Sequence, residues 1–290
     1  MQQHVVKQQK KKPYLKKIGT VHGFAVWIVD GPFIRKHIDP EFTNFDHHLN
    51  SAFIPPQEFW IDQEHAPNEI NYFVAHILAE HRYMAAGMSE DKARKKACAL
   101  EKQQRQRSPV VQRLMKADKS EIVRTIHKRL LYQEKNLNVW LVNGDLVRSL
   151  FSVNFTEGGH DLVYSFVPKN EVWIDDDLSP QERPVVLIHE LHERFLMAKG
   201  WCYDDAHTMA SLLERLCRFY STKIQFILSK ELEKNAELKR KRTLIIMHNN
   251  PSIVTALWSL FSRACVWSRL SYHKTLIGTE YFSGATIKLE

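Results

Sequence analysis

Short, wholly apolar runs at Val26–Val29 and Val139–Val142 each end in Asp-Gly or Asn-Gly, a strong turn signal, and predict strands. In Glu171–Asp175, Val172 and Ile174 alternate with Glu171, Trp173 and Asp175, which predicts a strand with one apolar and one mixed face. Ser179-Pro180-Gln181-Glu182 then reads as a capping box with Pro at the first helical position, opening a helix that runs to Gly200. A second helix begins around Tyr203–Ala206 and continues at least to Glu214. The same order of signals occurs earlier in the chain, with Pro67 at the start of a helix and Gly87 at its end.

The two stretches are near-copies. VWIVDG at Val26–Gly31 returns as VWLVNG at Val139–Gly144, an offset of 113 that continues without a gap to Glu101 and Glu214. Phe53–Asp62 lies over Phe166–Asp175, and about 28 of 76 aligned positions are identical. Binary patterning alone does not dictate the shared Trp, Gly, His and Pro, so the pattern reads as a tandem duplication. The expected fold is α+β: a small unit of short antiparallel strands followed by two helices, present twice, with a C-terminal helical extension. The expected segments are a basic tail over 1–24, a first unit over 25–104, a helical linker over 105–137, a second unit over 138–216 and the extension over 217–290. Ser108-Pro109 is the expected joint within the linker. In the extension the helical pattern continues through Ile224, Ile227 and Leu232. It then reaches the basic cluster Lys239–Arg242 and an amphipathic stretch with Leu257, Trp258, Leu260, Phe261 and Trp267.

Composition narrows the function classes. The 290 residues are 44% hydrophobic and 26% charged, which excludes wholesale disorder and collagen-like repeats. Four cysteines without a CxxC pair argue against a disulfide scaffold or a Cys-ligated zinc finger and suit a reducing, cytoplasmic compartment. The Lys- and Gln-rich start has no apolar core of a secretory signal, and Ile253–Val266 is too short, and broken by Arg263, to span a bilayer. The formal net charge of +8 allows nucleic-acid contact through Lys10-Lys11-Lys12, Lys16-Lys17 and Lys239–Arg242, although no base-reading motif surrounds them. No membrane partner is expected.

Chemistry concentrates where the copies differ. The second unit carries His189-Glu190-Leu191-His192-Glu193-Arg194 on its first helix. His189 and Glu193 are four residues apart and project from one face, while Glu190 is rotated by roughly 100°. This is the geometry of an HExxH zinc helix with Glu in place of the second His, an exchange zinc accepts. The turn at Gly200 would fold the next helix back and make His207 the third ligand. Glu190 would then be the general base that takes a proton from activated water.

These residues resemble the zincin metallopeptidases in a compact variant, over the strand Glu171–Asp175, the helix Ser179–Gly200 and the start of the next helix. The resemblance implies zinc ligands at His189 and His207, a base at Glu190, and a peptide or protein substrate. In the first unit His76 and Glu80 keep their places, but Ile77, Ala79 and Arg94 stand where the second has Glu190, His192 and His207. A guanidinium does not ligate zinc, so a metal there would need His81 or His47, and the first unit reads as degenerate.

The alternatives remain open at the level of sequence. His189 and Glu193 can be a buried hydrogen-bonded pair inherited with the fold, or part of a solvated face with Glu190 and Arg194 paired at i,i+4. His47 and His160 match between the copies and are either site histidines or plain turn residues. Glu171 and Asp175 can hold a cation or serve inter-strand pairing. The expected function is a zincin-like hydrolase with the second unit active. The alternative is a non-enzymatic duplicated module that binds a protein or nucleic-acid partner.

Overall fold

The computed structural model describes residues 12–238. The basic cluster at 239–242, the amphipathic stretch beyond 251 and Lys10-Lys11 lie outside the described residues. The first half contains β1 (Tyr14–Val21), β2 (Phe24–Val29), α1 (Gly31–His37), β3 (Phe45–His47), β4 (Glu58–Asp62), α2 (Ile70–Ala85) and α3 (Glu90–Arg105). Helices α4 (Pro109–Leu114) and α5 (Lys119–Ile126) lead to the second half. There β5 (His127–Glu134), β6 (Leu137–Val142), α6 (Gly144–Leu150), β7 (Gly158–His160), β8 (Glu171–Asp175), α7 (Arg183–Ala198) and α8 (Tyr203–Phe219) repeat the order, and α9 (Ile224–Ala236) follows.

The architecture is mixed α and β, with two four-stranded sheets ordered β1-β2-β4-β3 and β5-β6-β8-β7. The strands are not all antiparallel as expected: the central pairs β2/β4 and β6/β8 run parallel, and the outer strands are antiparallel. A parallel pair needs a crossover, and α1 or α6 with the following edge strand supplies it. The registers coincide at the offset of 113: Val26 faces Phe59 as Val139 faces Val172, and Ile28 faces Ile61 as Leu141 faces Ile174.

Two strands fall where none was expected. Strand β1 lies in the segment read as a basic tail, and β5 in the segment read as a helical linker. Both are outer hairpin strands that are mostly exposed, so they carry Lys, Arg and Gln without the apolar alternation that marks a half-buried strand. Helix α7 begins at Arg183, later than the capping box indicates. Ser179 Oγ accepts from the Glu182 amide (3.3 Å), but the reciprocal bond is absent because both groups have partners in the first half. The Ser179 amide donates to Glu64 Oε1 (2.9 Å), while the Glu182 carboxylate accepts from Arg35 and Arg218. The helix ends as expected, with Gly200 at φ +100° and the Trp201 amide donating back to the Leu196 carbonyl (3.2 Å), a turn only Gly makes without strain.

Val139, Leu141, Val172 and Ile174 pack one face of the second sheet against Leu187 and Leu191 of α7. Val142 and Trp173 pack the other face against Ile126, Val147 and Phe155. Glu171 and Asp175 serve pairing: Glu171 accepts from Trp173 Nε1 (2.7 Å) and meets His127 Nε2 (3.0 Å), and Asp175 accepts from Arg148 (2.5 Å).

The halves are joined by reciprocal ion pairs. Arg35 of α1 reaches Asp62 and Glu64 of its own half and Glu157 (2.8 Å) and Glu182 (3.3 Å) of the other. Arg148 of α6, 113 residues later, reaches Asp175 and Asp177 of its own half and grips Glu69 of the first through Nε and Nη2, both at 2.7 Å. Both guanidiniums are only 1% exposed. Burial pushes Glu157 up to about 8, with Arg35 acting against that shift.

Arg148→Ala would leave Glu69 and Asp175 buried without their shared cation. It is expected to cost about 3–5 kcal/mol in urea unfolding. A cost below about 1 kcal/mol, the size of an exposed pair, would contradict the structural role given to this contact.

Candidate metal centre

The Gly200 turn sends α8 back along α7, and the two helices bring His189, Glu193 and His207 together. His207 Nδ1 lies 2.8 Å from Glu193 Oε2 and 3.2 Å from His189 Nε2, and His189 Nε2 lies 3.7 Å from Glu193 Oε2. Three ligands on a tetrahedral zinc at 2.0–2.2 Å stand about 3.3–3.6 Å apart, so one shared ion would need the 2.8 Å edge to open and the 3.7 Å edge to close slightly.

Outer partners hold two of the three side chains. His189 Nδ1 faces Glu214 Oε2 of α8 at 2.7 Å, which leaves Nε2 as the ring nitrogen turned into the triangle. His160 of β7 accepts the Leu162 amide at Nδ1 (3.2 Å), so its Nε2 carries the proton and donates to Glu193 Oε1 (2.9 Å). The same tautomer argues against His160 as a ligand, although His160, Glu190 and Glu193 place donor atoms within 4.8 Å of one another. Two further carboxylate groups, around Asp62 and Asp175, are occupied by Arg35 and Arg148.

Glu190 packs over β7. A Cβ at Gly158 would stand 3.0 Å from the Trp173 carbonyl oxygen and 3.1–3.2 Å from Glu190, so a larger residue would press on this carboxylate. Position 45 in the first half is Phe, whose ring lies 4.8 Å from that of His76, and position 77 is Ile. Two apolar side chains there fill the space that a glycine and a carboxylate occupy in the second half. Burial pushes Glu190 up to about 8, and the neighbouring Glu193 and Glu214 add to the shift. Burial opposes ionisation of Glu193 too, but the hydrogen bonds from His160, His189 and His207 hold it well below the usual carboxylate range. Hydrogen bonds to Glu193 and Glu41 raise His207 to about 9.

The first half keeps the frame and not the donors. His76 Nδ1 meets Glu101 at 2.6 Å as His189 meets Glu214, but Arg94 replaces His207 and directs its guanidinium to Glu80 (3.4 Å) and Glu90 (2.5 Å). His81 turns to the rings of His47, His48 and Phe24, with centroids 5.3, 5.1 and 4.6 Å away. Neither His47 nor His81 joins His76 and Glu80 in a metal-sized group among the described residues. His192, the other histidine of the motif, faces away and meets Glu231 of α9 at 3.3 Å.

Sequence reading missed Glu214, Glu41 and the Gly158–Glu190 fit. Glu101 and Glu214 are identical between the copies, and the exchanges at 45/158 and 77/190 are visible in the same alignment. Those signals become meaningful only when helix and edge strand are seen in contact. No family, curated protein or solved structure matches the chain.

Without a metal, stability is expected to fall as pH rises from about 4.5 to 9. Glu190 is raised from 4.5 to about 8, so over that window the folded state keeps a proton that the unfolded chain releases. His207 is raised from 6.5 to about 9, so its contribution is complete below 6.5 and lost by about 9. Thermal unfolding of chelator-treated protein checks this, and Glu190→Gln should make the fall below about 8 shallower, with Glu157 contributing to the remainder. Stability that rises with pH across this window would contradict the placement of these groups.

Proposed function

We propose that this protein is a zincin-like metal-dependent hydrolase acting on a peptide bond, with zinc held by His189, Glu193 and His207. We further propose that the chain arose by tandem duplication and that only its second half retains the centre. The observation that carries the reading is the triangle of His189 Nε2, Glu193 Oε2 and His207 Nδ1, 2.8–3.7 Å on its edges, beside the glycine-seated Glu190. Peptide as the substrate class rests on the resemblance of the helix motif to zincins.

A zinc ion bound there would act as a Lewis acid and bring the pKa of the attacking water to about 7. The rest of the chemistry belongs to the chain's own groups. Glu190 makes no hydrogen bond or ion pair among the described residues, and one of its oxygens lies within 4.8 Å of donor atoms of Glu193 and His160. A cation beside Glu193 favours the ionised form of Glu190 and brings the raised pKa of Glu190 into the range of a base that works near neutrality. Glu190 then accepts the water proton on a carboxylate oxygen and returns it to the leaving nitrogen. His160 and Glu214 move no proton: they keep Glu193 and His189 oriented.

In the first half, Arg94 puts a positive charge where a cation would sit, and Phe45 and Ile77 close the space of the base. These exchanges support one centre per chain. Metal analysis of full-length protein purified without a tag is expected to find one zinc per chain. Glu190→Gln should keep the metal and reduce peptide hydrolysis by about 10²–10⁴-fold. His189→Ala should lose both, and His76→Ala should lose neither. If His189→Ala and His76→Ala behave alike, destabilising without a change in metal content, both histidines are structural and the reading fails.

A further inference from the structure

Two of the three donor side chains have outer partners within the second half; the partner of the third comes from the first half. His207 Nε2 faces Glu41 Oε2 at 3.4 Å, across a sequence separation of 166 residues. We propose that Glu41 is the positioning residue for His207, so that the metal centre of the second half is completed by a carboxylate from the first. This inference rests on the metal reading above and adds to it the requirement for the first half.

The chemistry of the imidazole ring supports the assignment. For Nδ1 to offer a lone pair toward His189 and Glu193, the ring proton must sit on Nε2. There it needs an acceptor, and Glu41 is the carboxylate that meets it among the described residues. Histidines that ligate metals generally donate their other ring N–H to a carboxylate, a carbonyl or a water, and the first of these binds the proton best. The ring plane is fixed independently by Tyr203, stacked on it at 5.4 Å between centroids and 21° between planes.

Glu41 is well placed to act across the boundary. Its own amide donates to Asp39 Oδ1 (3.0 Å), and the next residue, Phe42, is buried in the core of the first half. The Phe42 carbonyl accepts from Arg35 Nη1 (3.2 Å), the same guanidinium that binds Glu157 and Glu182 of the second half. The loop carrying Glu41 is therefore tied at the base by the inter-half ion pairs. The Glu41 side chain itself is 57% exposed, so its removal should leave the fold in place.

Comparison of the halves separates inheritance from function. A chain of contacts from Arg35 through Glu182, Arg218 and Glu214 reaches His189. It recurs from Arg148 through Glu69, Arg105 and Glu101 to His76, where no centre forms, so it marks the fold. The Glu41 contact does not recur. Its counterpart Asn154 accepts from Cys98 Sγ (3.5 Å), and Arg94 turns elsewhere. Among the described residues, an acid facing an imidazole across the boundary is present only at the candidate centre.

The test compares full-length wild type, Glu41→Gln and Glu41→Asp by competition for zinc against a chelator, and by visible absorption after loading with cobalt(II). Glu41→Gln is expected to weaken zinc binding about 10–100-fold and to change the cobalt(II) bands, with the metal-free protein still folding cooperatively. Glu41→Asp, which keeps the charge on a shorter arm, should recover part of the lost affinity. Wild type and Glu41→Gln that bind zinc equally, with identical cobalt(II) spectra, would overturn the role of Glu41 and leave the metal centre standing. Absence of zinc binding by wild type would overturn the metal centre and this inference with it.

Discussion

A guanidinium buried away from water has to be matched by carboxylates, and each half of this protein takes part of that match from the other. Arg35 is met by Glu157 and Glu182, and Arg148 by Glu69. Each guanidinium thus bridges carboxylates of its own half and of its neighbour. The consequences run into the candidate centre, because Glu182 also precedes the first turn of α7. Drawn toward Arg35 and Arg218, its carboxylate leaves the capping box open and α7 starts at Arg183.

On this shared frame a few exchanges distinguish the two halves. Phe45 and Ile77 fill with hydrocarbon the place that Gly158 and Glu190 occupy with a carboxylate. Arg94 places a fixed positive charge beside Glu80, where His207 places a ring nitrogen beside Glu193. The apolar pair packs in the core, and the half-exposed guanidinium finds Glu80 and Glu90. The first half is accordingly packed with hydrocarbon there, whereas the second gathers Glu190, Glu193 and Glu214 around His160, His189 and His207.

Much of this was legible in the residues. The repeat at 113 is preserved element for element and in strand register, and the Gly200 turn does fold His207 back onto the His189 face. Hydrophobic periodicity could not reveal β1 and β5, whose side chains are mostly in water and carry no apolar alternation. Nor could it give the parallel pairing of β2 with β4, which depends on a crossover rather than on local pattern. The capping box at Ser179 misled because its Glu182 has a stronger partner 147 residues away, and no local rule contains that contact. His160 was visible as a matched histidine, but its role as a donor to Glu193 depends on the Leu162 amide, a feature of turn geometry.

The central claim is that His189, Glu193 and His207 share one zinc ion. X-ray absorption at the zinc edge of the loaded full-length protein reads that first shell directly. The expected shell has two imidazole nitrogens and one or two oxygens at about 2.0–2.2 Å, with no sulfur. A sulfur contribution at about 2.3 Å, or a shell of oxygen alone, would place the metal elsewhere and contradict the assignment.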